Sequence, residues 1–226
     1  MKTVPPVKMP SLEHFSTKDY DRVYEPSDDT FLLCDALSAD LDELRRHRPA
    51  MCVEVGSGSG CVTAHLASLL PESALLAIDI NSDATLASRA TARANGVAHR
   101  VGVLRMDLLS ALRPASVDVL VFNPPYVPTS EEELTEALAS HDISAAWAGG
   151  TRGRRVLDVL LPRVGAALSS HGAFYLLGVA ENDADEISTI LRESAGFEGE
   201  LIAERRAQNE RLWVMRYTRG RHAVAG

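Results

Sequence analysis

The chain is poor in the residues that build covalent or metal-bound scaffolds. Its three cysteines, Cys34, Cys52 and Cys61, are odd in number and form no C-x-x-C pair. That excludes a disulfide framework and a zinc site of the usual spacing, and it suits a reducing compartment. None of the seven histidines has another four residues further on, so no metal is expected in this chain. A basic excess is also missing. The formal net charge is -8, and Arg45-Arg46, Arg154-Arg155 and Arg205-Arg206 lie far apart. A chain that grips nucleic acid directly would carry a basic surface, so no direct nucleic-acid partner is expected. No apolar run is long enough to span a bilayer and no secretory leader pattern opens the sequence. The expected location is the cytoplasm or the nucleus, away from membranes. Internal repeats and low-complexity stretches are absent.

What is present suits one α/β domain. Over 226 residues, 46% are hydrophobic, enough for a single sizeable core. Residues 1–20 carry Pro5, Pro6 and Pro10 among mixed polar residues and read as a flexible N-terminal arm, which leaves 21–226 as the domain. Ser27 is placed to cap a helix whose first turn carries Asp28 and Asp29. Its apolar stripe is expected to be Phe31, Leu32, Cys34 or Asp35, Ala36 and Leu37. Short apolar runs at 51–55, 74–80, 101–105, 117–122 and 173–179 read as strands. Helical stretches at 61–70, 82–95, 131–139, 156–168 and 183–194 separate or follow them. That alternation predicts a mostly parallel sheet between helices. The last two runs, 199–204 and 211–217, read as an antiparallel hairpin added to it.

Two stretches carry chemistry. The first strand runs into Gly56-Ser57-Gly58-Ser59-Gly60, and the second ends on Asp79, where an acid commonly binds ribose hydroxyls. The spacing is G-x-G-x-G, not the G-x-G-x-x-G of dinucleotide sites. Glu54, just inside the turn, puts negative charge where a pyrophosphate would sit. A carboxylate there suits a ligand with an ammonium group and no phosphate, such as S-adenosylmethionine. Asp107, after the third strand, is placed to accept from an adenine amino group. The second stretch is Asn123-Pro124-Pro125-Tyr126. Neither proline has an N–H to donate, so the fourth strand stops there. It presents a carboxamide, a stiff backbone corner and an aromatic ring, a set that can grip a planar –NH2 group. In the long segment 127–155, Trp147 suits a packed anchor or part of the target pocket and is read as the anchor. Gly149, Gly150 and Gly153 are read as sites of close backbone packing or a hinge.

These residues resemble the class I S-adenosylmethionine-dependent methyltransferases. The fold so implied is Rossmann-like: a seven-stranded, mostly parallel sheet with helices on both faces and an antiparallel last strand. N-P-P-Y at this position marks the members that act on amide or exocyclic amino nitrogens. Tyr24-Glu25-Pro26 with Asp29-Thr30-Phe31-Leu32-Leu33, and Ala146-Trp147-Ala148-Gly149-Gly150 with Gly153-Arg154, are similar to the HemK family, specifically its short eukaryotic and archaeal branch. The extra N-terminal helical domain of bacterial members is expected to be absent. The resemblance implies N5-methylation of the glutamine in the Gly-Gly-Gln motif of a class I translation termination factor, with S-adenosylhomocysteine as by-product. It assigns Thr30, Glu54, Gly56, Gly58, Asp79, Asp107, Leu108 and Asn123 to the cofactor. Asn123 and the Pro124 carbonyl would hold the acceptor nitrogen, with Pro125 completing the corner and Tyr126 beneath. A small zinc-binding activator protein is the implied heterodimer partner, pairing with edge strand 101–105. Histone lysine is the implied second substrate. A nucleic-acid amino-methyltransferase and a non-catalytic cofactor-binding subunit are the remaining readings.

Overall fold

The computed structural model describes residues 8–140, 146–207 and 210–220; Pro5, Pro6, His141 and His222 lie outside the described residues. Five strands, β1 (Met51–Val55), β2 (Ala74–Asp79), β3 (Val101–Arg105), β4 (Val117–Phe122) and β5 (Leu168–Val179), run parallel. Between β5 and β6 (Phe197–Ala207) lies β7 (Glu210–Arg219), antiparallel to both. The sheet order is β3-β2-β1-β4-β5-β7-β6. The central strands β1 and β4 are mostly apolar because both of their faces are covered. Val119 and Val121 of β4 join the core beneath α1 (Asp28–Ala39), α2 (Leu41–Arg46), α3 (Cys61–Leu69) and α4 (Ser82–Ala94). Leu120 and Phe122 join the opposite core beneath α6 (Arg155–Ala167) and α7 (Ala184–Ala195). One more helix, α5 (Glu131–Ser140), stands in the long segment after β4.

This order fixes where a ligand can sit. From β1 the chain steps outward to β2 and β3, then returns to lay β4 on the other side of β1. Such a reversal opens a crevice beyond the carboxyl ends of the two strands. Val55 is paired with Phe122, so the glycine turn after β1 and Asn123 after β4 leave the sheet side by side.

Local signals agree with the observed ends. Asn81 caps α4 by accepting from the Asp83 amide at 2.8 Å, and Asp183 caps α7 by accepting from Glu186 at 3.1 Å. Four points differ from expectation. Over residues 8–20 the arm is seated on the domain. Met9 packs on the core, and the Asn95 side chain holds both the amide and the carbonyl of Ser11, at 2.8 and 3.0 Å. His14 meets Thr91 at 3.1 Å. In α1 the stripe differs: Phe31 is exposed, whereas Asp29 and Thr30 are buried with Leu32 and Leu33. Ser27 stands at the N-cap but makes no side-chain cap bond; its hydroxyl goes to Asp29 instead. Finally, α2 adds a short helix that the sequence reading lacks.

Candidate active site

The residues expected to hold cofactor and acceptor border one cavity: Thr30, Glu54, Gly56, Gly58, Asp79, Asp107, Leu108 and Asn123 to Tyr126. The glycine turn forms one wall. Helix α4 buttresses it from behind. The Ser88 hydroxyl bonds the Ser57 hydroxyl at 2.8 Å, and that of Thr91 donates to the Ser59 carbonyl at 2.6 Å. A side chain on Gly60 would stand 2.6 Å from Ser88 Cα, so glycine here lets the helix approach.

Asp79 closes the turn from β2. Its carboxylate accepts the Gly58 and Asn81 amides, each at 2.9 Å. Burial raises its pKa against the pull of those amide bonds. Glu54 lies deeper, 5% exposed, with the Thr63 hydroxyl donating to it. Burial pushes its carboxyl up to about 8, against that hydroxyl bond. An acid buried in this way is costly to ionise alone, and a cation beside it compensates the charge and favours the ionised form. Asp107 is exposed at the rim. Leu108 beside it has φ +45°, a strained value for a bulky residue, of the kind held at ligand-lining turns.

The far wall is the Asn123–Tyr126 corner, and here the structure adds Asp29, which the sequence marks only as an acid in the first turn of a helix. Asp29 is 2% exposed. One of its oxygens, Oδ1, accepts from Ser27 Oγ, the Thr30 amide and Thr30 Oγ1 at 2.9, 2.6 and 3.1 Å. The other, Oδ2, accepts from Tyr24 Oη, Asn123 Nδ2 and Tyr126 Oη at 3.1, 3.0 and 3.3 Å. Asn123 Nδ2 is thereby committed, and Asn123 Oδ1 is buried with no partner. Burial first, then the Asp29 charge, raise both phenols, Tyr24 to about 12 and Tyr126 further, so both remain neutral donors.

Residues 146–155 fold back on this corner. Val127 N donates to the Trp147 carbonyl at 3.1 Å, and Gly149 N to the Val127 carbonyl at 2.8 Å. Gly149 presses on the Pro125 carbonyl and Gly153 on that of Tyr126, the close packing expected of these glycines. Asn182 Nδ2 holds the carbonyls of Arg152 and Gly153 at 3.1 and 3.3 Å. Buried Arg154 donates to Asp158 and Glu186, each at 2.9 Å. Trp147 is not a packed anchor: 39% exposed, it lines the cavity mouth.

Comparison with known proteins bears on this arrangement. Residues 30–148 match the family model described as methyltransferase small domain. Methyltransferase HEMK2 of Homo sapiens is 42% identical over 210 residues, covering 91% of this chain and 94% of that one. The eRF1 methyltransferase catalytic subunit mtq2 of Schizosaccharomyces pombe is 35% identical over 222 residues, covering 93% and 95%. Among solved structures, the E. cuniculi Mtq2–Trm112 complex, responsible for methylation of the eRF1 translation termination factor, superposes with a TM-score of 0.63. It is 27% identical, over 88% of this chain and 99% of that one. With relatives at 42% and 35% identity over more than nine-tenths of its length and a methyltransferase family model over residues 30–148, the chain belongs to the HemK family of methyltransferases.

Proposed function

We propose that this chain is the catalytic subunit of a protein-glutamine methyltransferase. It would carry a methyl group from S-adenosylmethionine to the side-chain nitrogen of the glutamine in a Gly-Gly-Gln termination factor, in the cytosol. The observation that carries the reading is the orphaned Oδ1 of Asn123, next to the Pro124 carbonyl at a corner that cannot bend. Two fixed acceptors ask for a nitrogen with two N–H donors, which a primary amide has. The cavity fits the cofactor. Glu54 answers an ammonium group, Asp79 the ribose hydroxyls and Asp107 an amino group on the purine, with Thr30, Gly56, Gly58 and Leu108 forming the walls.

When bound, the cofactor supplies an electrophilic methyl group on a sulfonium. The rest is this chain's work. An amide nitrogen is a poor nucleophile because its lone pair is delocalised, so alignment must do most of the catalysis, for which roughly 7–11 kcal/mol is available at best. Asn123 and Pro124 hold the two N–H groups and Tyr126 supports the amide plane. No strong base is required before transfer, because the proton is lost from the acceptor nitrogen afterwards. Lysine is the second acceptor the corner admits. Its ammonium would be held, but the Asp29 charge favours the protonated, unreactive form, which ranks it below glutamine.

The partner proposed is a small zinc-binding activator. β3 is one of the two edge strands of the sheet, the one on the side of β1 and β2, and Leu104 on it is 43% exposed. An edge of this kind accepts a strand from another chain. A labelled-methyl assay tests the function, with and without the activator, offering termination factor, histone and DNA. Label is expected on the termination factor and lost when its Gly-Gly-Gln glutamine is replaced. Transfer only to histone lysine or DNA would overturn the reading. Cofactor binding without any transfer would identify a non-catalytic subunit.

Glu54 gives the site a pH signature. Its ligand-free carboxyl, at about 8, is largely protonated at neutral pH, and a bound ammonium favours the ionised form. Cofactor binding at pH 7 is therefore expected to release about one proton, with affinity rising as pH approaches 8. Because the folded pKa lies above the unfolded one, Glu54 stabilises the ligand-free fold in acid, and that contribution is lost as pH rises through 8. Calorimetry at pH 7 in buffers of different ionisation enthalpy reads the proton directly. Release should vanish in Glu54→Gln; no release from the unaltered protein would refute this assignment.

A further inference from the structure

We propose that Asp29 is a positioning residue that fixes the Asn123 carboxamide with its oxygen towards the acceptor nitrogen. This inference rests on the reading of the corner as a methyl-acceptor site. A carboxamide has two ends of nearly the same shape, and either can face a substrate. Facing outward with Nδ2, Asn123 would donate to the acceptor nitrogen and compete for the lone pair that must attack. Facing outward with Oδ1, it accepts an N–H and leaves that lone pair free. The choice is made by what stands behind it.

Behind it stands a group that can only accept. Six donor atoms from Tyr24, Ser27, Thr30, Asn123 and Tyr126 converge on the two Asp29 oxygens, all within 3.3 Å. Two oxygens so occupied leave no place for a proton of their own. Asn123 can meet Oδ2 only with Nδ2, so Oδ1 is turned to the cavity without a partner. The rest of the cluster makes the arrangement rigid. The Thr30 amide is a backbone donor that cannot reverse, and it pins Oδ1 of Asp29 at 2.6 Å. The phenols pin Oδ2 from the other side. Asp29 need not touch the substrate. It determines the polarity of the residue that does.

The polarity can be inverted without changing shape. In Asp29→Asn, the Thr30 amide keeps an oxygen at the first position, so the new –NH2 falls where Oδ2 stood. Asn123 must then turn its oxygen inward and offer Nδ2 to the acceptor. In Asn123→Asp two carboxylates face each other. In the double variant Asp29→Asn with Asn123→Asp, the –NH2 donates to the neighbouring carboxylate, whose other oxygen faces the cavity as an acceptor again. The test is a four-way kinetic cycle on the complex with its activator, with cofactor affinity and melting temperature measured for each protein. Asp29→Asn is expected to lower kcat about 100-fold, the scale on which a misplaced reacting group is felt. KM and cofactor affinity should change far less. The double variant should recover at least about tenfold over the slower single variant, a coupling typical of residues in direct contact. A kcat near that of the unaltered protein in Asp29→Asn, or a smaller recovery in the double variant, would overturn the proposal. Should the unaltered protein transfer to another acceptor and not to glutamine, the substrate reading fails. The same cycle on that acceptor still judges Asp29.

Discussion

Asn123→Ala is expected to abolish methyl transfer, by about 1,000-fold or more, while cofactor affinity stays within a few-fold. The change removes the acceptor oxygen that faces the cavity, and loss of a single preorganised polar group at a reacting centre costs about 100- to 1,000-fold. It also removes a wall against which the acceptor amide is aligned, so misplacement adds to the loss. The fold should survive. Asp29 keeps its bonds from Tyr24 and Tyr126, and the prolines still terminate β4 whatever side chain precedes them. Glu54 and Asp79, the larger anchors proposed for the cofactor, stay in place on β1 and β2. Single-turnover transfer with labelled donor separates chemistry from binding, and calorimetry reports affinity. Turnover within about tenfold of the unaltered protein would show that the Pro124 carbonyl alone positions the nitrogen and that Asn123 has another role.

The architecture was readable because it rests on local signals. Apolar runs such as Val117–Phe122 announce buried strands, Asn81 and Gly96 bracket a helix, and paired prolines end a strand wherever they occur. The cavity was readable for the same reason, since Glu54, Gly56, Asp79 and Asn123 all stand at strand ends, which the order of a parallel sheet gathers at one side. Asp29 was not readable. An acid in the first turn of a helix is ordinary, and its decisive partners, Asn123 and Tyr126, lie 94 and 97 residues away in sequence. The seating of the arm is equally hidden from the sequence, because Ser11 meets Asn95 across 84 residues. Trp147 shows the opposite error. A tryptophan in a glycine-rich segment looks like an anchor, yet the glycines themselves make the close contacts and leave the ring at the cavity mouth.

Those glycines set up the second large effect. Gly153→Ala is expected to cripple transfer although Gly153 belongs to a loop and holds no ligand. Its φ is +65°, and an added Cβ would stand 1.9 Å from the Tyr126 carbonyl oxygen and 2.7 Å from its carbon. The left-handed backbone costs an alanine roughly 1–2 kcal/mol, and overpacking typically adds about 1–3 kcal/mol. The two nearest atoms are backbone and cannot swing aside as a side chain can. Asn182 clamps the loop from behind through the Gly153 carbonyl, and the facing atoms are backbone of the N-P-P-Y corner. Relief therefore has to come from the corner itself, and a shift of about 1 Å at a reacting centre costs about 100-fold. The expected result is a kcat lowered at least that much, with a melting temperature lowered by about 2–4 °C for each kcal/mol lost. Gly58→Ala supplies the contrast. Its added Cβ meets nothing within 4 Å and its φ is +51°, so it should weaken cofactor binding and leave the chemical step of the loaded enzyme comparatively intact. If Gly153→Ala instead kept its kcat and lost only stability, the segment 127–155 would be mere support. A fall in kcat that outruns the loss of stability would make the segment part of the active site, acting through the carbonyls it presses upon.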